Sequence, residues 1–208
     1  MAGCRLEIIR EVTPYVASAL GDQLSFLVEL EKLKLVQRRN LKVDGVRNEN
    51  SAEHSWHVAI MAMVLREHSN RDVDLLKVLK MLLIHDVVEI YAGDSWLYGV
   101  TVDQGTRERE AATKLFAMLP QAQGAQMLEL WNEFEAGETE EACFAKGIDA
   151  FQPLLNHLVV SPACFDDSRP QLAEVLEKKQ LIAKSSRSLW DVARRIAELS
   201  ADRGLYRR

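Results

Sequence analysis

His85-Asp86-Val87-Val88-Glu89-Ile90-Tyr91-Ala92-Gly93-Asp94 closes a strongly apolar segment that runs back to Val73. Leu75, Leu76, Val78, Leu79, Met81, Leu82, Leu83 and Ile84 are apolar on nearly every side of a helix. That predicts a central, buried helix over about 73–92, with Gly93 as its stop. Such a helix ends by presenting an imidazole and a carboxylate. On an ideal helix these neighbours leave about 100° apart, so both reach one ion only if it lies between their directions.

Outward from the dyad, a histidine stands upstream at His54 and an aspartate downstream at Asp149. Two imidazoles and two carboxylates can hold one divalent metal with positions left for water. Drawing ligands from facing helices is a normal way to build a site in a bundle core. Bland alternatives stand beside each residue. His85 would also fit as a hydrogen-bonded core histidine, Asp86 as the partner of a surface lysine, and Asp149 as the helical partner of Lys146. His57 shares a face with His54 and competes as a ligand.

Helical periodicity dominates elsewhere. Leu24, Leu27, Val28 and Leu35 form one stripe. Asn50 and Glu53 have capping-box spacing and open a helix expected to bury Trp56, Ile60, Met63 and Val64. Residues 94–105 read as a loop. Thr106 opens a helix carrying Ala112, Leu115, Phe116 and Leu119, and another holds Met127, Leu130, Trp131 and Phe134. A further helix over about 140–160 is expected to bend at Pro153. The last starts at Ser188, with Leu189, Val192, Ile196 and Leu199 inward. No segment alternates well enough to predict a strand. The expectation is an all-α, single-domain helical bundle over 1–208, with the site core at about 33–160 and C-terminal helices at 170–203 packed on it.

Composition narrows the function. The chain has 208 residues, 48% of them hydrophobic, so it can bury a sizeable core. A net charge of −5 gives no electrostatic reason for nucleic-acid binding. No long uncharged apolar run suggests a membrane span, and charge comes too early after Met1 for a signal peptide. Three scattered cysteines, Cys4, Cys143 and Cys164, argue for a reducing compartment; the expected setting is the cytoplasm.

Several segments together resemble the HD-domain metal-dependent phosphohydrolases, and within them the 5′-deoxynucleotidase branch. Arg47-Asn48-Glu49-Asn50-Ser51-Ala52-Glu53-His54-Ser55 is similar to the segment bearing that family's first histidine. His85-Asp86-Val87-Val88-Glu89 with Gly93-Asp94 matches its H-D-x-x-E-x-x-x-G-D stretch. Lys146-Gly147-Ile148-Asp149 resembles the segment giving its last aspartate, and Leu33-Lys34-Leu35-Val36-Gln37-Arg38 the helix end supplying a phosphate-orienting arginine.

The resemblance implies an HD-type bundle in which His54, His85, Asp86 and Asp149 hold one divalent ion (Mn, Co, Mg, Fe or Zn). Such an ion would acidify a water and polarise a phosphoryl oxygen. It implies that Glu89 positions or deprotonates that water, or protonates the leaving oxygen. Arg38 would neutralise the phosphate, although Lys34, Arg38 and Arg39 are clustered and the sequence does not say which points inward. Asp94, Ser95, Trp96 and Leu97 fall where the family contacts the nucleoside. Its deoxynucleotidases follow the phosphate arginine with a tryptophan that helps exclude a 2′-hydroxyl. Here that position is Arg39, so the sugar preference is left open.

Five histidines are present and none lies between Asp86 and Asp149, which favours one metal over a dinuclear centre. The expected activity is hydrolysis of (deoxy)nucleoside 5′-monophosphates by a homodimeric enzyme. A nucleotide pyrophosphohydrolase or triphosphohydrolase, or a nucleotide-sensing module without turnover, are the alternatives.

Overall fold

The computed structural model describes residue 11 and residues 15–94, 103–159 and 169–208. They are almost entirely helical. Helix α1 spans Ser18–Leu30 and runs into a 3-10 turn over Glu31–Leu35. Its inward side is Phe26 and Leu33, while Leu27 and Leu35 of the expected stripe are exposed. The tightened 3-10 turn rotates the later positions away from the α-helical stripe.

A two-stranded antiparallel hairpin follows, β1 Gln37–Leu41 and β2 Asn48–Asn50. No strand was expected, and the reason is visible: Val43 and Val46 in its turn are exposed and the strands themselves are mostly polar. The turn closes through Gly45, at φ +67°, whose amide donates to the Lys42 carbonyl.

Helix α2, Ser51–Leu65, begins at the expected capping box. Asn50 Oδ1 accepts from the Glu53 amide at 2.9 Å and Glu53 Oε2 accepts from the Asn50 amide at 3.0 Å. Its buried face is His54, Ser55, Val58, Ala59, Met61 and Ala62. Trp56, Ile60, Met63 and Val64, expected inside, lie on the exposed side. Where a helix carries apolar residues all round, periodicity does not choose its inner face.

Helix α3 covers only Leu75–Ile84. The expected continuous helix breaks at the dyad. Val87 and Glu89 donate to the carbonyls three residues back, Ile84 and Asp86, before one turn of helix α4, Glu89–Ala92, ends at Gly93 with φ +76°. Leu76 and Leu83 are exposed, so α3 is not the central helix.

That place belongs to α7, Glu140–Asn156, which packs against α2, α3, α6 (Gln121–Ala136), α9 (Leu181–Ser185) and α10 (Arg187–Asp202). It runs through Pro153, which has no N–H to give the Asp149 carbonyl. Helix α5, Gln104–Phe116, packs on α4 and α6. Helix α8, Leu172–Lys179, leads into α9 and α10, and both α9 and α10 lie on α7. In α10, Leu189 and Ile196 are buried as expected, but Ala193 and Ala197 share that face while Val192 and Leu199 look outward. No described helix is long and apolar enough to cross a membrane.

Two apolar clusters make up the interior. One joins α2, α3, α7 and the C-terminal helices. The other joins Phe26, Leu33, Val87, Val88, Leu115, Phe116 and Trp131. The turn at His85-Asp86 lies on the seam between them. Met81 and Leu82 before it belong to the first cluster, and Val87 and Val88 after it to the second.

Candidate metal centre

The capping box fixes where α2 begins, and so sets His54 on its first turn, facing α7 with no exposure. His54 Nε2 lies 2.8 Å from Asp149 Oδ1 and 3.9 Å from Asp86 Oδ2. His85 Nε2 lies 3.0 Å from Asp86 Oδ1 and 3.7 Å from Asp149 Oδ1. One donor atom each from His54, His85 and Asp149 fall within 4.8 Å of one another, with Asp86 beside them. Side chains from α2, the α3–α4 turn and α7 thus converge on one point.

The donor set fits a divalent cation. His85 Nδ1 donates to the Leu82 carbonyl at 2.8 Å, which turns Nε2 toward the carboxylates. That Nε2 is buried and has no hydrogen-bond partner among the described residues, as a nitrogen reserved for a ligand would be. Burial opposes charge on this ring, but Asp86, Asp149 and the Leu82 carbonyl prevail and hold its pKa up at about 9. Burial likewise opposes charge on Asp149, yet His54 and His85 hold its carboxyl well below the usual range.

Lys146 and His57, which competed for these roles, have other partners. Lys146 pairs with Glu135 at 3.6 Å and sits over the Phe134 ring rather than against Asp149. His57 Nδ1 lies 3.3 Å from Gln152 Nε2. Gln152 is a site residue that the sequence did not reveal. Fully buried one turn after Asp149, its Oε1 accepts from His54 Nδ1 at 3.2 Å and its Nε2 donates to Glu49 Oε2 at 3.1 Å. It therefore fixes the ring orientation of His54. A glutamine on an apolar helix carries no spacing signal of its own. Only its place one turn beyond Asp149 could have marked it.

Around this centre stand the groups suited to phosphate chemistry. Alternation along β1 sends Arg38 inward and leaves Arg39 exposed. Lys34 is exposed too and pairs with Glu31. Arg38 Nη1 donates to Asp86 Oδ2 at 2.8 Å, and its Nε lies 3.5 Å from Glu49. Burial lowers its pKa, but Asp86, Asp149, Glu89 and Asp94 raise it further still, so it is always a cation.

Glu89 is buried and accepts from Ser51 Oγ. Burial first, then the neighbouring Asp86 charge, push its pKa up to about 8. Asp94 is raised as well, by burial and by Asp86 against the pull of Arg38. Ser95, Trp96 and Leu97 lie outside the described residues. The site opens into a cavity of about 220 Å³ whose walls include His85, Asp86, Glu89, Trp131, Phe134 and Asp149, together with Lys178, Lys179 and Leu181. Trp131 Nε1 donates to the His85 carbonyl at 3.1 Å and so ties α6 to the turn.

Residues 30–190 match the HD domain family, and the chain belongs to it. It is 41% identical to a predicted metal-dependent phosphohydrolase from Magnetospirillum magnetotacticum MS-1, whose crystal structure superposes with a TM-score of 0.86 over 91% of this chain and 96% of that one. The 5′-deoxynucleotidase HDDC2 of Bos taurus is 31% identical over 136 residues, which is 64% of this chain and 64% of that protein. The Dictyostelium discoideum protein of the same name is 28% identical over 65% of this chain and 76% of its own length. The chain therefore spans just under two thirds of the first of these two relatives.

Proposed function

We propose that the chain is a metal-dependent phosphohydrolase that cleaves the phosphomonoester of nucleoside 5′-monophosphates, with His54, His85, Asp86 and Asp149 as the ligands of one divalent ion. The observation that carries this reading is the meeting of His54 Nε2, His85 Nε2 and Asp149 Oδ1 within 4.8 Å, beside a permanently charged arginine and a glutamate whose pKa burial raises. The bound ion would supply a polarised phosphoryl oxygen and an acidified water.

The remaining work falls to the chain's own groups. Arg38, steadied by Asp86, offers its other guanidinium N–H groups to the phosphate. Glu89, whose pKa burial raises first, is placed to give a proton to the 5′-oxygen as the P–O bond breaks and water oxygen bonds to phosphorus. Asp94, beyond Gly93, and the segment Ser95, Trp96 and Leu97 are assigned to the nucleoside. Arg39, the position after Arg38, lies on the exposed side of β1.

The resemblance to deoxynucleotidases supports nucleotides as the substrate class. The scattered cysteines support the cytoplasm, and the exposed apolar face of Trp56, Ile60, Met63 and Val64 supports a homodimer. The test is phosphate release from ribo- and deoxyribonucleoside 5′-monophosphates with Mn, Co or Mg. Metal-dependent release that Asp86→Ala abolishes is expected. No release by protein shown to contain metal would refute the assignment, and release of pyrophosphate from triphosphates would replace it.

A further inference from the structure

Lys179 closes helix α8 and is only 7% exposed. It lines the same cavity as His85 and Asp149. Among the described residues it makes no hydrogen bond and no ion pair within 4.0 Å. The other two lysines of that wall are paired, Lys178 with Glu174 at 3.3 Å and Lys146 with Glu135. Lysines this deep are normally paired. The charges that act on it are Asp149, opposite in sign, and Arg38, like in sign. His157, whose ring burial keeps neutral, also feels it.

The helices on either side of it are anchored. Val175 before it and Ile182 after it are fully buried. Leu172 donates to the Arg207 carbonyl at one end of α8. At the other, Ser185 of α9 rests directly on Gly147 of α7, where a Cβ would stand 1.8 Å from Ser185 Oγ. These contacts tie α8 to the C-terminal segment and α9 to α7. Asp149 is already engaged by His54 at 2.8 Å, so it does not satisfy the ammonium at hydrogen-bond range.

We propose that Lys179 is a substrate-binding residue whose ammonium takes a non-bridging oxygen of the phosphoryl group, giving the site a second anion-binding cation besides Arg38. This rests on the phosphohydrolase reading above for the identity of the ligand. It lies within the HD-domain match but after the last metal ligand in sequence, and it gives the C-terminal helices a part in the site.

The variant is Lys179→Met, which keeps the stem and removes the charge. The probe is inorganic phosphate, followed by its stabilisation of the Mn-loaded protein against heat. KM and kcat for a nucleoside monophosphate are measured alongside. A charge-assisted hydrogen bond lost from the complex predicts phosphate binding weaker by about tenfold to a hundredfold. It predicts a similar rise in KM, with partial recovery in Lys179→Arg. Because the ammonium has no partner in the protein, the ligand-free melting temperature of Lys179→Met is expected to equal or exceed that of the wild type.

Equal phosphate affinity and equal KM in the variant would overturn the proposal. So would a wild type that phosphate does not stabilise, or a Lys179→Met protein that melts several degrees lower or fails to fold. The two readings separate cleanly. If no nucleotide is hydrolysed yet phosphate binding depends on Lys179, the substrate class falls and this residue's role stands. Nucleotide turnover with the same KM in both proteins gives the reverse.

Discussion

Gly147→Ala is expected to destabilise the protein through one contact. An added Cβ would stand 1.8 Å from Ser185 Oγ and 2.4 Å from Ser185 Cβ. The hydroxyl can rotate away, at the loss of its hydrogen bond to the Ile182 carbonyl, but Ser185 Cβ is fixed by the backbone. Restoring an ordinary carbon–carbon contact of roughly 3.5 Å needs α9 to retreat from α7 by about 1 Å. Overpacking of that size costs about 1–3 kcal/mol, and the lost hydrogen bond adds about 1 kcal/mol. Alanine returns about 1 kcal/mol as the better helix former. The net loss is about 2 kcal/mol, or roughly 4–8 °C in Tm for a chain of this length.

Thermal and denaturant unfolding measure it, and a second substitution tests the cause. With Ser185→Gly in the same chain, the nearest Ser185 atom left to the new Cβ is the Cα at 3.8 Å, an ordinary contact. The double variant should therefore be more stable than the sum of the single losses by about 1–2 kcal/mol. A Gly147→Ala protein as stable as the wild type, or strict additivity of the two changes, would refute the packing argument.

Other consequences follow from the same structure. Gln152→Leu removes the acceptor for His54 Nδ1 and the donor to Glu49, so metal affinity measured by titration should fall about 10–100-fold; unchanged affinity would mean that His54 needs no orienting partner. Asn50→Ala removes the side-chain half of the capping box at α2 and should cost about 1 kcal/mol in denaturant unfolding, with no change showing that the cap is dispensable. In protein stripped of metal, stability should fall between pH 6.5 and 8. His85, raised from 6.5 to about 9, and Glu89, raised from 4.5 to about 8, both keep protons in the folded chain that the unfolded chain has released. Stability then drops with rising pH, and a rising or flat profile over that window would contradict it.

The dyad region was legible because its chemistry and its neighbours coincide. Apolar residues up to Ile84, then an imidazole, two acids and a glycine, leave few structural uses for that order. The capping box was legible for a similar reason, since side chain and spacing specify one local hydrogen-bond pattern. Burial on α2 was not. Trp56, Ile60, Met63 and Val64 make as good a stripe as His54, Val58, Met61 and Ala62, and only the neighbour across the contact, α7, decides between them. The break at 85–88 was hidden because hydrophobic periodicity reports an average pitch. A tightened turn shifts only a few positions and leaves the composition unchanged. The hairpin escaped because its exposed valines and polar strands carry no period-two signal, although Arg38 depends on that strand to face inward.

The charge around the site bears on the order in which ligands arrive. Asp86, Asp149 and Asp94 crowd one region with Glu89 and Glu49, and Arg38 is the guanidinium buried with them. A phosphate approaching this cluster alone meets carboxylates at a distance where like charges repel by a few kcal/mol at the effective dielectric of a partly buried site. Lys179 also feels the charge of Asp149. A divalent cation reverses both terms. It neutralises Asp86 and Asp149 and leaves the field of Lys179 for an anion. The cation should therefore bind first, and phosphate should stabilise only metal-loaded protein. Calorimetric titration of phosphate into protein with and without Mn decides it: equal affinity in both would show that the carboxylate cluster does not gate the anion.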